Sequence, residues 1–142
     1  MMRNAIIAGA LLIGLAACGS ETEPVESENA SYSARQYMQA VNDIARIDDR
    51  EFDETRQPAE LLAFAQIDKG EVVGDYIMGG GYLTRLLATA VGANGKVYAF
   101  QPEEFIAFRP EYAEEQDAAV APYADNDGNP VNVFPLRGPI AQ

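Results

Sequence analysis

Three consecutive glycines, Gly79-Gly80-Gly81, stand between an apolar stretch and an amphipathic one, and they restrict the fold more tightly than any other feature of the chain. Without side chains, a backbone turns through positive φ at little cost and lets a ligand approach a helix N-terminus closely. Ahead of them, Glu71-Val72-Val73-Gly74-Asp75-Tyr76-Ile77 predicts a short buried strand. Behind them, Leu83, Leu86, Leu87, Ala90 and Val91 recur at helical spacing, and Gly92-Ala93-Asn94-Gly95 stops that helix with turn chemistry. A second strand follows over 96–100, apolar at Val97, Ala99 and Phe100. Pro102 with Glu103 and Glu104 then suits a helix start, and Pro110 should interrupt that helix. After the turn Asp125-Asn126-Asp127-Gly128-Asn129, residues 131–136 form a third strand. Strand, helix, strand, helix, strand predicts an α/β fold with a parallel sheet and right-handed crossovers.

Two helices are expected before the first strand. Tyr37, Met38, Val41, Ile44 and Ala45 fall on one helical face, and Asp48-Asp49 ends that pattern. A second helix opens near Pro58 and turns Leu61, Leu62 and Ala65 inward.

The chain begins Met1-Met2-Arg3-Asn4, a short positive start, followed by an apolar run over 5–17. That run is shorter than the roughly 20 residues a membrane-spanning helix needs, and it reads as the core of a secretory signal. It ends Leu15-Ala16-Ala17-Cys18-Gly19-Ser20, which resembles the lipobox of bacterial lipoproteins. The resemblance implies that residues 1–17 are removed and that Cys18 carries the lipid. It also implies an exported protein, anchored in the bacterial cell envelope and facing the periplasm. Residues 18–31 hold Glu21, Glu23, Glu26 and Glu28 without apolar periodicity, as an acidic flexible tether would. The folded domain is then expected over 32–142.

Composition removes several kinds of chemistry. The chain has no His and one Cys, so Ser-His-Asp and Cys-His devices are excluded. A formal charge of −12 offers no basic stripe for nucleic acid, and membrane attachment must be hydrophobic. The dinucleotide pattern G-x-G-x-x-G would need Gly where Thr84 stands, and an acid where Gln101 closes the second strand. Nicotinamide and flavin cofactors are therefore disfavoured.

The stretch from Val72-Val73-Gly74-Asp75-Tyr76-Ile77 through Met78-Gly79-Gly80-Gly81-Tyr82-Leu83-Thr84-Arg85-Leu86-Leu87 resembles motif I of class I S-adenosylmethionine-dependent methyltransferases. Arg56-Gln57-Pro58-Ala59-Glu60-Leu61-Leu62-Ala63-Phe64 and Gly95-Lys96-Val97-Tyr98-Ala99 resemble the same family, in particular exported members behind a lipoprotein-type signal. The likeness is close over 32–101 and loose beyond. It implies a Rossmann-like methyltransferase fold, of which this sequence supplies the N-terminal half, and S-adenosylmethionine as the cofactor. By the same resemblance Asp75 closes motif I, and Gly79 and Gly81, with Gly80 between them, pack against the methionine part of the donor. Tyr82 would lie near it, and position 101 would hold the ribose hydroxyls. Two departures stand out: Ile77 occupies the place of the motif's first Gly, and Gln101 that of the ribose-binding acid. Gln cannot accept two charge-assisted hydrogen bonds, so weaker donor binding is expected.

The resembled fold has a seven-stranded sheet, and about three strands are legible here. The first strand should then present an open apolar edge, which implies a fragment, a truncated copy, or a partner chain covering that edge. No general base stands out, and the methyl acceptor is unassigned. The competing expectation is a non-catalytic envelope lipoprotein that uses a degenerate Rossmann-like domain as an interaction module.

Overall fold

The computed structural model describes residues 32–140. The expected signal, the expected lipidation site Cys18 and the expected tether lie outside the described residues. Among the described residues, no helix is long and apolar enough to cross a membrane.

The centre is a three-stranded parallel sheet in the order β1-β2-β3, formed by β1 (Val72–Tyr76), β2 (Lys96–Pro102) and β3 (Val133–Gly138). Val73 pairs with Val97 and Val97 with Val133, so three branched side chains align across the sheet. Helix α4 (Tyr82–Val91) carries the chain from β1 to β2. Helices α5 (Glu103–Phe108) and α6 (Glu111–Val120) carry it from β2 to β3. Pro110 separates α5 from α6, as its missing N–H and rigid ring require. The mixed α/β class, the parallel sheet and its three strands follow the sequence-based expectation.

Strand β1 is not buried on both faces, as the sequence suggested. Both connections advance in the same direction, and α4 and α6 pack against each other as well as the sheet, so the helices fall on one face of it. Val97, Ala99 and Val133 are buried on that face beneath Leu86, Leu87, Val91 and Ala119. Among the described residues, nothing covers the opposite face. Val72 and Tyr76 keep 64% and 59% of their surface, and Tyr98 and Leu136 are exposed beside them. Tyr76 stacks on Phe100 at 5.2 Å between centroids, and Tyr98 lies 5.6 Å from Phe134, so this face is a layer of aromatic pairs. Among the described residues, no strand lies beside the outer edge of β1.

The helices before the sheet depart further from expectation. A 3-10 turn, Ala34–Tyr37, runs into α1 (Met38–Val41), where the helix stops. Asp43 leaves helical geometry, and its side chain accepts the Ala45 N–H, starting a separate 3-10 helix, Ile44–Phe52. The supposed face of Tyr37, Met38, Val41, Ile44 and Ala45 is therefore split: Tyr37 is buried, while Met38 and Ile44 are exposed. Asp48-Asp49 does not end the pattern either. Asp49 is buried in an ion pair, and helix continues into α2 (Asp53–Arg56). In α3 (Pro58–Ala65), Pro58, Ala59 and Leu62 face inward. Leu61 and Ala65 do not, because the buried row is the i, i+3 pair Ala59–Leu62, and Leu61 projects about 100° away from Leu62. The third strand begins at Val133, two residues later than expected, because the Val131 N–H bonds Tyr123 O instead of the sheet.

Candidate functional site

The glycine turn sits at the C-terminal end of β1, where parallel sheets place their ligands. Ile77 leaves the strand with φ +63, Gly79 follows at +54 and Gly81 at +81. Ile77 thus adopts the left-handed backbone that glycine favours. This costs a β-branched residue about 1–2 kcal/mol, strain of the kind that gathers at functional turns. The Met78 N–H donates to Phe100 O at 3.1 Å and the Gly81 N–H to Met78 O at 3.0 Å, closing the turn against β2. Gly81 caps α4, and a Cβ there would lie 2.5 Å from the Ala119 Cβ. A Cβ on Gly79 or on Gly80 would meet nothing within 4 Å. Gly80 is the informative one, because its φ also lies outside the left-handed region. Neither conformation nor packing within the described residues requires glycine at position 80.

Asp75 and Gln101 lie under this turn, on the helix-covered face. Asp75 is 5% exposed and accepts the Thr84 Oγ1–H at 2.6 Å. Burial raises its pKa above the ordinary carboxylate value, and hydrogen bonds from the Thr84 side chain and backbone offset part of that. The carboxylate thus ties the end of β1 to the first turn of α4. Gln101 is fully buried, and its Oε1 accepts the Gly79 N–H at 3.1 Å, bracing the turn from β2. Its Nε2 has no hydrogen-bond partner among the described residues. A buried amide donor without a partner is costly, of order 1–3 kcal/mol, and such groups are usually satisfied by something further.

Tyr82 turns toward the segment 44–56. Its hydroxyl donates to Asp53 Oδ1 at 2.7 Å, and the Arg46 and Arg56 guanidiniums lie 5.0 and 4.5 Å from its ring centroid. Burial, with Asp53 as hydrogen-bond partner, pushes its pKa up to about 12. Burial also raises the Asp53 carboxyl, but bonds from Arg46 and Tyr82 and the nearby guanidinium charges outweigh this, so its pKa falls below the ordinary value.

The residues missed in the sequence belong to this same network. Arg46 is fully buried, with Nη2 2.6 Å from Asp53 Oδ1 and Nη1 donating to Val41 O. Asp49 accepts from Arg85 Nε at 2.7 Å and from Arg85 Nη2 at 2.5 Å, and that Nη2 also donates to Gly80 O at 3.0 Å. The spacing of Arg46, Asp49 and Asp53 is i, i+3, i+7, one row on a helical surface, and this was the available signal. Asp49, Gly80, Arg85, Glu115 and Ala119 line a cleft of about 320 Å³. A larger cavity of about 540 Å³, lined by Tyr37, Lys69 and Thr89, lies away from the glycine turn.

Asp75, Gly79 and Gln101 are therefore brought together, with Gly80 and Gly81 continuing the same turn, whereas Tyr82 engages Asp53 from the far side of it. No family model, characterised protein or solved structure matches this chain.

Proposed function

We propose that this chain is a methyltransferase-like protein of the bacterial cell envelope, held there through a lipid on Cys18, and that the turn Met78–Gly81 receives S-adenosylmethionine. The observation that carries this reading is the open space beside Gly80, a glycine that the protein's own conformation and packing do not need. Close approach of a ligand to bare backbone is one use such a glycine can have. The resemblance of the segment 72–87 to motif I points to the same place.

The fit is uneven around the site. At the turn, Gly79 and Gly80 leave room for the donor, and Asp75, Thr84 and Gln101 keep the backbone in position. At the ribose side, Gln101 is fully buried and its Oε1 is already taken by Gly79, so it offers no free acceptor to a diol. Weaker binding than with an acid is the expected consequence. When bound, S-adenosylmethionine supplies an electrophilic methyl group. The contribution of these residues is to orient it, and positioning is most of what methyl transfer requires. Photo-crosslinking of labelled S-adenosylmethionine to the intact chain, with peptide mapping, tests this. Label within 77–82 supports the reading, and label spread over surface peptides opposes it.

A second reading is carried by a different observation, the bare aromatic face and open edge of β1. A non-catalytic envelope module would use them to dock a partner chain, which would add a strand beside Val72–Tyr76. Its distinguishing result is a chain that takes no donor and whose β1 amides become protected from exchange in envelope extracts.

A further inference from the structure

The segment 44–56 crosses the start of α4 and reaches the glycine turn through one side chain. Arg85, one turn into α4, presents Nε and Nη2 to both oxygens of Asp49 as a fork, and the same Nη2 donates to Gly80 O. Its Nη1 lies 3.0 Å from the point a Cβ on Gly81 would occupy, so the guanidinium rests against the bare Cα of Gly81. The peptide joining Gly80 to Gly81 is held at both ends, its carbonyl by Arg85 and its N–H by Met78 O. Both charged side chains are largely withdrawn from solvent, at 13% and 10% exposure, so the pair is weakly screened and geometrically fixed. Glycines on both sides leave this peptide few steric restraints, so the contact from outside the turn adds to the one within it.

We infer that Asp49 and Arg85 form a positioning latch, by which the segment ahead of the sheet sets the conformation of the glycine turn that receives the donor. Arg85 acts on the Gly80–Gly81 peptide, and Asp49 acts through Arg85. The inference rests on the donor-site reading for its consequence, but the latch itself is visible without a ligand. Lys cannot span Asp49 and Gly80 O together with a fork, so Arg85→Lys keeps one contact and loses the other.

The test uses the intact chain and its Arg85→Met, Arg85→Lys and Asp49→Asn variants, with two readouts. The first is amide hydrogen exchange at Gly81, compared with Val97 and Ala99 in β2. The second is the affinity for S-adenosylhomocysteine. Arg85→Met is expected to speed exchange at Gly81 about tenfold more than at the β2 amides and to weaken binding about tenfold, with Arg85→Lys and Asp49→Asn intermediate. If Arg85→Met does not fold, the two conservative variants carry the comparison. Exchange at Gly81 that changes only in step with β2 would overturn the latch, and so would wild-type affinity in a variant with a loosened turn. A wild-type chain that binds no S-adenosylhomocysteine would instead remove the donor reading, and exchange alone would then decide the latch.

Discussion

Alanine at each of the three glycines should give three different answers, because the turn uses each glycine for a different reason. Gly81 has φ +81, and its new Cβ would lie 2.5 Å from the Ala119 Cβ and 3.0 Å from Arg85 Nη1. The left-handed backbone costs about 1–2 kcal/mol, and pushing α6 away adds about 1–3 kcal/mol, so Gly81→Ala should lose roughly 2–5 kcal/mol. That is a large part of a small domain's stability of about 5–15 kcal/mol. Gly79 has φ +54 but open space, so Gly79→Ala should lose only the conformational share, about 1–2 kcal/mol. Gly80 has open space and no left-handed φ, and Gly80→Ala should gain about 0.4–1 kcal/mol by stiffening the unfolded chain. Urea denaturation followed by circular dichroism or tyrosine fluorescence measures all three, the chain having no Trp. Equal losses at the three positions, or the largest loss at Gly80, would refute this division of roles.

Three further outcomes follow from the polar groups around the turn. Asp75 has a raised pKa in the folded state, so its contribution is complete below the unfolded value of 3.8 and is lost as pH rises through the folded value. Asp75→Asn can still accept from Thr84 without ionising, so its stability relative to wild type should improve as pH rises above the unfolded value, and a flat difference would contradict the burial argument. Arg46→Met strands the Asp53 carboxylate and should cost about 3–5 kcal/mol in denaturant melts. Replacing Asp53 by Leu as well should recover part of that, since the pair couples. Gln101→Glu removes the unpartnered Nε2 donor but buries a carboxyl group in its place, so its urea midpoint should fall relative to wild type as pH rises, and a pH-independent difference would contradict the burial.

The α/β pattern was legible wherever one element's periodicity was matched by a turn signal at its end. Leu86, Leu87 and Val91 were placed inward correctly for that reason, and the apolar Val97 and Ala99 of the second strand are buried with them. What failed depended on contacts far apart in sequence. The 44–56 segment packs by charge, through Arg46, Asp49 and Asp53, and an apolar-periodicity rule reads those residues as a solvated face. The bare side of the sheet was also hidden. An apolar strand looks the same whether one face is covered or two, and only the direction of both crossovers decides it. Within the site, Asp75, the glycines and Gln101 were visible from their positions between strand and helix. Arg85 was not, because nothing local distinguishes an arginine that braces a turn from one that faces water. Tyr82 was expected near the donor from proximity in sequence, and its hydrogen bond to Asp53 was not legible there.

The central claim is that the space beside Gly80 belongs to a ligand. Calorimetric titration of S-adenosylhomocysteine into the intact chain and into Gly80→Ala tests it most directly, since that substitution should leave the fold at least as stable. Saturable binding by the wild type, weakened about tenfold or more in the better-folded variant, is the expected result, because a methyl group there would occupy the ligand's place. Equal affinity in the two proteins, or no binding by a folded wild-type chain, would contradict it.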